Sequence, residues 1–361
     1  MVKKGYILFF TMIMLAMGTG IITQIFYVGN IYNSYVSVTL DKERARQLAL
    51  SGVSVAMSQL MLLDKNFSPK DKDDKDEKKK KDPKKARTEN KKKFLEFMLQ
   101  VQNRWQTFLL KHESDGIDAE IKVCISCENG KIDCNKLYNY EIHKFISARG
   151  QNTENLYKIV GEKLTPLLHN KNIADSVISF IKKQKRPLLT ATEFLKDKKI
   201  AQAFDNQIFY IPSDHIKENK KDHLDTKKAP QQAYLTDTFT VHGESSLSMW
   251  SLPPSLQKAF GLYSDKKISS DQAKEIVKKV SSIQFKKIDD WSRAFEIIYG
   301  GRNNTLPKEF ISYLNPKFEP RLFSVLCYAK VGRVSQKLFA LLEKAPMKDG
   351  ETIKMIKIYW I

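Results

Sequence analysis

The sequence predicts an α+β protein: a long N-terminal membrane-spanning helix, an antiparallel sheet, and a large α-helical domain inserted into that sheet. Three observations predict it. A stretch without formal charge, Tyr6 to Leu40, follows a short basic leader. Segments rich in β-formers near 120–135 and 320–361 bracket a middle whose apolar residues recur at three- and four-residue steps. The chain has 361 residues, 42% of them hydrophobic, which gives room for about two domains and a sizeable core.

The leader is Met1-Val2-Lys3-Lys4-Gly5, and Tyr6 to Val28 is strongly apolar. That run is long enough for a bilayer, which needs about 20 residues. Lys3 and Lys4 favour a cytoplasmic N-terminus and put the bulk of the chain outside. A cleavable secretory signal has a shorter apolar region, about 7–15 residues. Here the helix continues: after Asp41-Lys42-Glu43-Arg44, the residues Leu48, Ala49, Val53, Ala56 and Leu60 keep helical spacing. A single helix over 6–63 would be about 87 Å long at ~1.5 Å per residue, half in lipid and half in water. Basic residues, a glycine and an uncharged helix make a leader of the type IV pilin kind, cut after Gly5 to leave Tyr6 as the new N-terminus. Most such chains carry Glu at the fifth mature position, where this one has Phe10.

Residues 64–93 hold fourteen Lys or Arg against eight Asp or Glu, with one large apolar residue and two prolines. Such a segment buries too little surface to offset ordering, and a disordered charged insertion is expected there. Helix is expected to resume with Phe94, Met98, Val101, Trp105 and Phe108 on one face. Apolar alternation either side of Asn129-Gly130 predicts a two-residue hairpin that sets Cys127 opposite Ile132 and Cys134 opposite Ile125. Short helices are predicted around Leu156–Leu168, Ile173–Ile181, 270–281, 289–299 and 307–314. A further one is opened by the capping box Thr190-Ala191-Thr192-Glu193, and another by Pro253-Pro254. Strands return at Leu322–Ala329, Gln336–Leu342 and Ile353–Ile361. The economical division is an α/β domain from 94–150 and 316–361 with an inserted helical domain over 151–315.

Residues 64–93 supply +6 of the formal charge of +20, and the other +14 is scattered as Lys along ordinary amphipathic segments. No basic cluster interleaved with aromatics offers a stacking surface for single strands, and no nucleic acid is expected. Cys124, Cys127, Cys134 and His143 are residue types suited to zinc. Strand positions three apart face opposite ways, so Cys124 and Cys127 do not both ligate unless the strand breaks. Independent buried thiols, a Cys127–Cys134 disulfide and zinc stay open in that order, and no metal is assigned. The six histidines are dispersed, and no nucleophile elbow, His-Glu-x-x-His helix or phosphate-cradling glycine loop occurs. His242-Gly243-Glu244-Ser245-Ser246 lacks any marked acid partner or oxyanion hole. No catalytic residue, enzyme activity or cofactor is expected.

These pieces together resemble the K-type minor pseudopilin of bacterial type II secretion, the general secretion pathway protein K. The resemblance covers most of the chain. It lies in the leader with Ala45–Gly52, in Glu128–Asn135, in Phe239–Gly243 before Ser248–Pro254, and in Leu322–Val325 through Val331-Gly332-Arg333. It implies a pilin-like α/β domain carrying a helical insertion and a tip position in a periplasmic pseudopilus that helps export folded proteins. It further implies prepilin peptidase as processing enzyme, other minor pseudopilins as partners in a hetero-oligomeric tip complex, and single-pass anchoring in the cell inner membrane with the globular part periplasmic. Members of that family also lack the Glu, so Phe10 fits as an assembly residue. The family's calcium site is not carried over, because Ser179–Arg186 offers cations where acids are needed. The alternative is a membrane-tethered binding protein whose basic helical domain takes DNA or another anionic partner.

Overall fold

Helix α1 runs without a break over Lys3–Lys65, about 95 Å at ~1.5 Å per residue. The computed structural model describes residues 3–65, 83–148, 151–168, 173–205, 207–210, 233–262, 267–300, 306–347 and 350–361. Past α1, helix α2 occupies Pro83–Val101. This corrects the expected boundary of the charged insertion, because α2 takes in its last eleven residues. Pro83 suits a helix start, where its missing N–H costs nothing. Most of the remaining charged stretch, 66–82, lies outside the described residues.

α2 ends sooner than its spacing predicts. Asn103 turns left-handed at φ 58°, its N–H donates to the Ile125 carbonyl at 2.7 Å, and Trp105–Leu110 becomes strand β1. Trp105 and Phe108 are thus strand residues; the β-formers of Trp105–Leu110 pair with β2, Ala119–Cys127, from Trp105↔Cys124 to Leu110↔Ala119. The other edge of β2 is taken by a much later strand. That arrangement leaves no room for the expected hairpin, since β2 is flanked on both sides. The chain instead turns through a 3-10 helix at Glu128–Gly130, and Ile132–Asp133 (β3) pairs in parallel with Phe239–Thr240 (β4). Gly130 is needed for a different reason than a hairpin turn: a Cβ there would lie 1.7 Å from the Ser251 carbonyl oxygen.

The middle of the chain folds into short helices: α3 (Glu154–Leu164), α4 (Ile173–Lys183), α5 (Lys198–Phe204), α6 (Pro254–Ala259), α7 (Ser270–Ser281), α8 (Ile288–Tyr299) and α9 (Lys308–Ser312). A 3-10 helix at Ala191–Lys196 stands where the capping box was expected. Glu193 accepts from the Leu189 N–H at 2.6 Å, and the Thr190 side chain caps nothing. Three strands close the chain: β5 (Leu322–Val331), β6 (Val334–Met347) and β7 (Gly350–Trp360). The five-stranded sheet runs β1-β2-β5-β6-β7, every neighbouring pair antiparallel. β2 and β5 lie side by side, with Cys127 opposite Phe323 and Ala119 opposite Val331, so the helical block enters between adjacent strands.

Two apolar cores result. In one, Ala49, Val53, Ala56 and Leu60 of α1 meet Ile121, Val123, Ile125, Phe323, Val325, Leu338, Ala340 and Leu342 on one face of the sheet. In the other, the helices bury aromatic residues such as Phe194, Phe204, Phe295 and Phe310. α2 serves both: Met98 joins the sheet core while Leu95 and Leu99 join the helical one.

Candidate functional site

The first half of α1 is apolar and bare. Leu15 is 68% exposed and Phe26 70%, and Phe10 is exposed as well. Four of its threonines are satisfied inside the helix: Thr11 donates to the Leu8 carbonyl, Thr19 to Leu15, Thr23 to Thr19 and Thr39 to Tyr35. Backbone and threonine groups that close on the helix itself are what hydrocarbon requires. α1 is long and apolar enough to cross a membrane. Gly5 and Tyr6 lie in the same continuous helix as Phe10.

The second half packs down. Ala45, Ala49 and Ala56 are fully buried, and Gly52 lets the helix approach β2 and β5, since a Cβ there would be 3.1 Å from both Cys327 Sγ and an Ile121 methyl. Small residues at three- and four-step spacing make that close approach available. In the β5–β6 turn, Gly332 adopts φ 55° and sits against Asp41.

A buried polar junction ties the sheet to the helical block. Glu128 pairs with Lys131 within the 3-10 turn, both side chains almost fully buried. Glu128 also accepts from the Thr240 hydroxyl of β4, and Lys131 donates to Ser324 of β5 at 3.1 Å. Burial works against the Glu128 charge, but the adjacent Lys131 and the hydroxyl donors outweigh it and hold the carboxyl below its ordinary value. Asp237 is buried nearby and its carboxyl is raised by burial; it accepts from the Ser255 N–H at 2.8 Å. Sequence reading missed this junction. The only local signal is a Glu and a Lys three apart between Cys127 and Ile132, in a run otherwise fit for burial.

Next to the junction, a cavity of about 250 Å³ opens between Thr190–Thr192, Val241 and His242 on one side and Phe339, Leu341 and Tyr359 on the other. Half-buried His242 is held below its ordinary value by burial and by Lys357. The cavity is mostly apolar.

All four cysteines are buried free thiols, and burial pushes each of them up. Cys127 belongs to the α1–sheet core and Cys134 to the helical core. Cys124 turns to the opposite face of β2 from Cys127 and lines a small cleft with Lys131 and Asp237. Among the described residues no three His, Cys, Asp or Glu side chains gather where they could hold a metal ion.

No protein-family model matches the chain, and no curated protein matches it. Among solved structures, the chain is similar to one in the crystal structure of the GspK-GspI-GspJ complex from the enterotoxigenic Escherichia coli type 2 secretion system. The identity is 10%, the TM-score 0.39, and the match covers 92% of this chain and 98% of that one. The functional reading therefore rests on the residues of this chain.

Proposed function

We propose that this chain is a minor pseudopilin of a type II secretion system, placed at the tip of a periplasmic pseudopilus that helps export folded proteins. One feature carries the reading. A single helix is apolar and bare from Leu8 to Leu40, then packs through small residues on an antiparallel sheet, all behind a Lys-Lys-Gly leader. On this reading, prepilin peptidase cuts after Gly5 and Tyr6 becomes the mature N-terminus. The first half of α1 sits in the inner membrane with its start cytoplasmic, and the rest of the chain is periplasmic. Residues 94–150 and 316–361 form the pilin-like domain, 151–315 the inserted one, and the partners are other minor pseudopilins.

Mass spectrometry of the membrane-extracted protein tests the processing step. The expected chain starts at Tyr6; one that starts at Met1 or beyond residue 20 sinks the assignment. Phe10 tests the tip position. In the filaments this resemblance implies, a Glu at the fifth mature position pairs with the amine of the subunit ahead. A carboxylate left alone in hydrocarbon costs about 2.5–3.5 kcal/mol on insertion scales. A tip subunit has no subunit ahead, so Phe suits it. Phe10→Glu is expected to weaken assembly or leave it unchanged, and a marked gain in secretion counts against the tip.

The membrane-tethered binder of anions draws on a cleft of about 530 Å³ lined by Lys279, Lys286, Lys287 and Arg293. That cleft also holds Asp290, and Lys279 is paired with Glu275 at 2.7 Å, so two of its four positive charges are answered by acids. Steeply salt-dependent retention of DNA by the full chain would favour this second reading; co-purification with small pilin-like chains favours the first.

A further inference from the structure

We propose that the open edge of β7 is a docking site for an extended segment of a different protein, one with apolar side chains on one face and carboxylates on the other. Among the described residues β7 is the last strand of the sheet and pairs with β6 alone. The direction of its backbone groups follows from the ladder. The Ile361 N–H donates to the Lys337 carbonyl at 3.1 Å, which makes Leu338↔Trp360 a non-hydrogen-bonded pair and Phe339↔Tyr359 a hydrogen-bonded one. Tyr359 and Lys357 therefore spend their backbone groups on β6. Ile358 and Trp360 turn theirs toward the open edge.

The side chains at that edge divide by face. Met355, Ile358 and Trp360 lie opposite Leu342, Ala340 and Leu338, which are buried in the α1–sheet core. They continue that apolar surface outward, yet remain 47%, 37% and 37% exposed. Lys354 and Lys357 point to the other face, where Lys357 Nζ donates to the Leu189 carbonyl at 3.0 Å beside an exposed Leu189 side chain. The register shift between Leu341 and Leu342 leaves Ile356 without a partner.

A strand edge left in water is normally blunted by charge, proline or a bulge. Here the bulge and both lysines fall within 354–357, and the last stretch, Ile358 to Ile361, carries no such device. The charges also select the occupant. Two copies of β7 placed edge to edge would gather Lys354 and Lys357 of each onto one face, and like charges across a strand pair destabilise it. A segment with carboxylates on that face turns the same lysines into attractions. Its apolar face then covers Met355, Ile358 and Trp360, while its backbone pairs with Ile358 and Trp360. This is recognition by strand addition, where the main chain supplies affinity and alternate side chains supply specificity. The proposal does not depend on the pseudopilus reading.

The test uses the full chain in detergent micelles and three labelled twelve-residue peptides: alternating valine and glutamate, alternating valine and lysine, and a copy of residues 350–361. Fluorescence anisotropy is expected to show binding of the glutamate peptide, with the other two at least about tenfold weaker. Hydrogen exchange should slow at Ile358 and Trp360 when that peptide binds. Ile358→Pro removes one outward N–H and should cost about tenfold, the scale of one hydrogen bond. Lys354→Gln removes one of the two charges without setting a second acid opposite Glu343 of β6, and should narrow the preference for the glutamate peptide. Failure of all three peptides to bind, equal binding of the acidic and basic ones, tight binding of the 350–361 copy, or an unchanged preference in Lys354→Gln would each overturn the proposal.

Discussion

Between Leu8 and Leu40 nearly every large apolar side chain of α1 stands exposed, whereas between Ala45 and Leu60 one face of the same helix is sealed against the sheet. The residue sizes differ accordingly. The outer half uses Leu, Ile, Phe and Met on all sides, and its Gly18, Gly20 and Gly29 have nothing within 4 Å of where a Cβ would be. The inner half puts Ala45, Ala49, Gly52, Val53 and Ala56 on the buried side, and there a missing Cβ sets how near the helix comes to β2 and β5. Bulk in every direction fits a surrounding that is uniformly apolar. A stripe of small residues fits a partner with a fixed surface.

The largest expected effect separates the halves by cavity formation. Leu60 is 1% exposed in the α1–sheet core, so Leu60→Ala should cost about 2–5 kcal/mol of unfolding free energy, the range for a truncated core leucine. Leu15→Ala should leave urea unfolding of the globular part unchanged. If the two variants unfold alike, the halves do not differ in the way described.

A pH titration sharpens the same contrast, because no Asp, Glu, Lys or Arg occurs from Tyr6 to Leu40 and acid-range changes belong to the globular part. Burial pushes the Asp133 carboxyl up to about 6, against the backbone donors of Lys136 and Asn135. Its folded form keeps a proton that the unfolded form releases near pH 4. The stability from that proton is whole below about pH 4 and is lost as pH rises through about 6. At about 1.4 kcal/mol per unit, the loss is about 2–3 kcal/mol, and Asp133→Asn should flatten this part of the profile. Glu128 slopes the other way: its contribution is present above its ordinary value near 4.3 and fades as pH falls below that. A stability profile from pH 3 to 8 that Asp133→Asn does not alter would remove this assignment.

The regularities along α1 were legible in the sequence because each depends on neighbours three or four residues apart. The same holds for the helices near 156, 173, 270 and 289, and for the three closing strands, whose β-formers and the Gly332 turn are local. What depends on distant partners was not legible. Trp105 and Phe108 are spaced as on a helix, and only pairing with β2 makes them strand residues. Asn129-Gly130 reads as a hairpin until β1 and β5 occupy both edges of β2. The Glu128–Lys131 junction is completed by Thr240 and Ser324, residues 112 and 193 positions from the groups they meet. No window along the chain contains that arrangement.

Gly52 against Gly29 gives a smaller effect. Gly52→Val forces branched methyl groups toward Cys327, Ile121 and Val123, and overpacking of this kind costs about 1–3 kcal/mol. Gly29→Val meets open space and should leave the globular part alone. Differential scanning calorimetry of the two variants checks it: equal melting temperatures would mean that α1 approaches the sheet less closely than the structure has it.

The smallest effect lies where the two halves join. Arg46 reaches the sheet there, with its guanidinium 4.8 Å from the centre of the Trp360 ring on β7. A cation over an exposed indole is worth about 0.5–1 kcal/mol. Arg46 also lies 3.8 Å from Glu43, but a pair so exposed adds little. Arg44 supplies the control, since it makes a similar loose pair with Asp41 at 3.9 Å and, among the described residues, has no aromatic ring beneath it. Arg46→Ala should therefore lower the urea midpoint slightly and change the fluorescence of Trp360, whereas Arg44→Ala should do neither. Arg46→Lys keeps the charge and loses the planar stacking, so it should fall between. If Arg44→Ala and Arg46→Ala shift the midpoint equally, the ring contributes nothing, and the join is held by the apolar stripe of α1 alone.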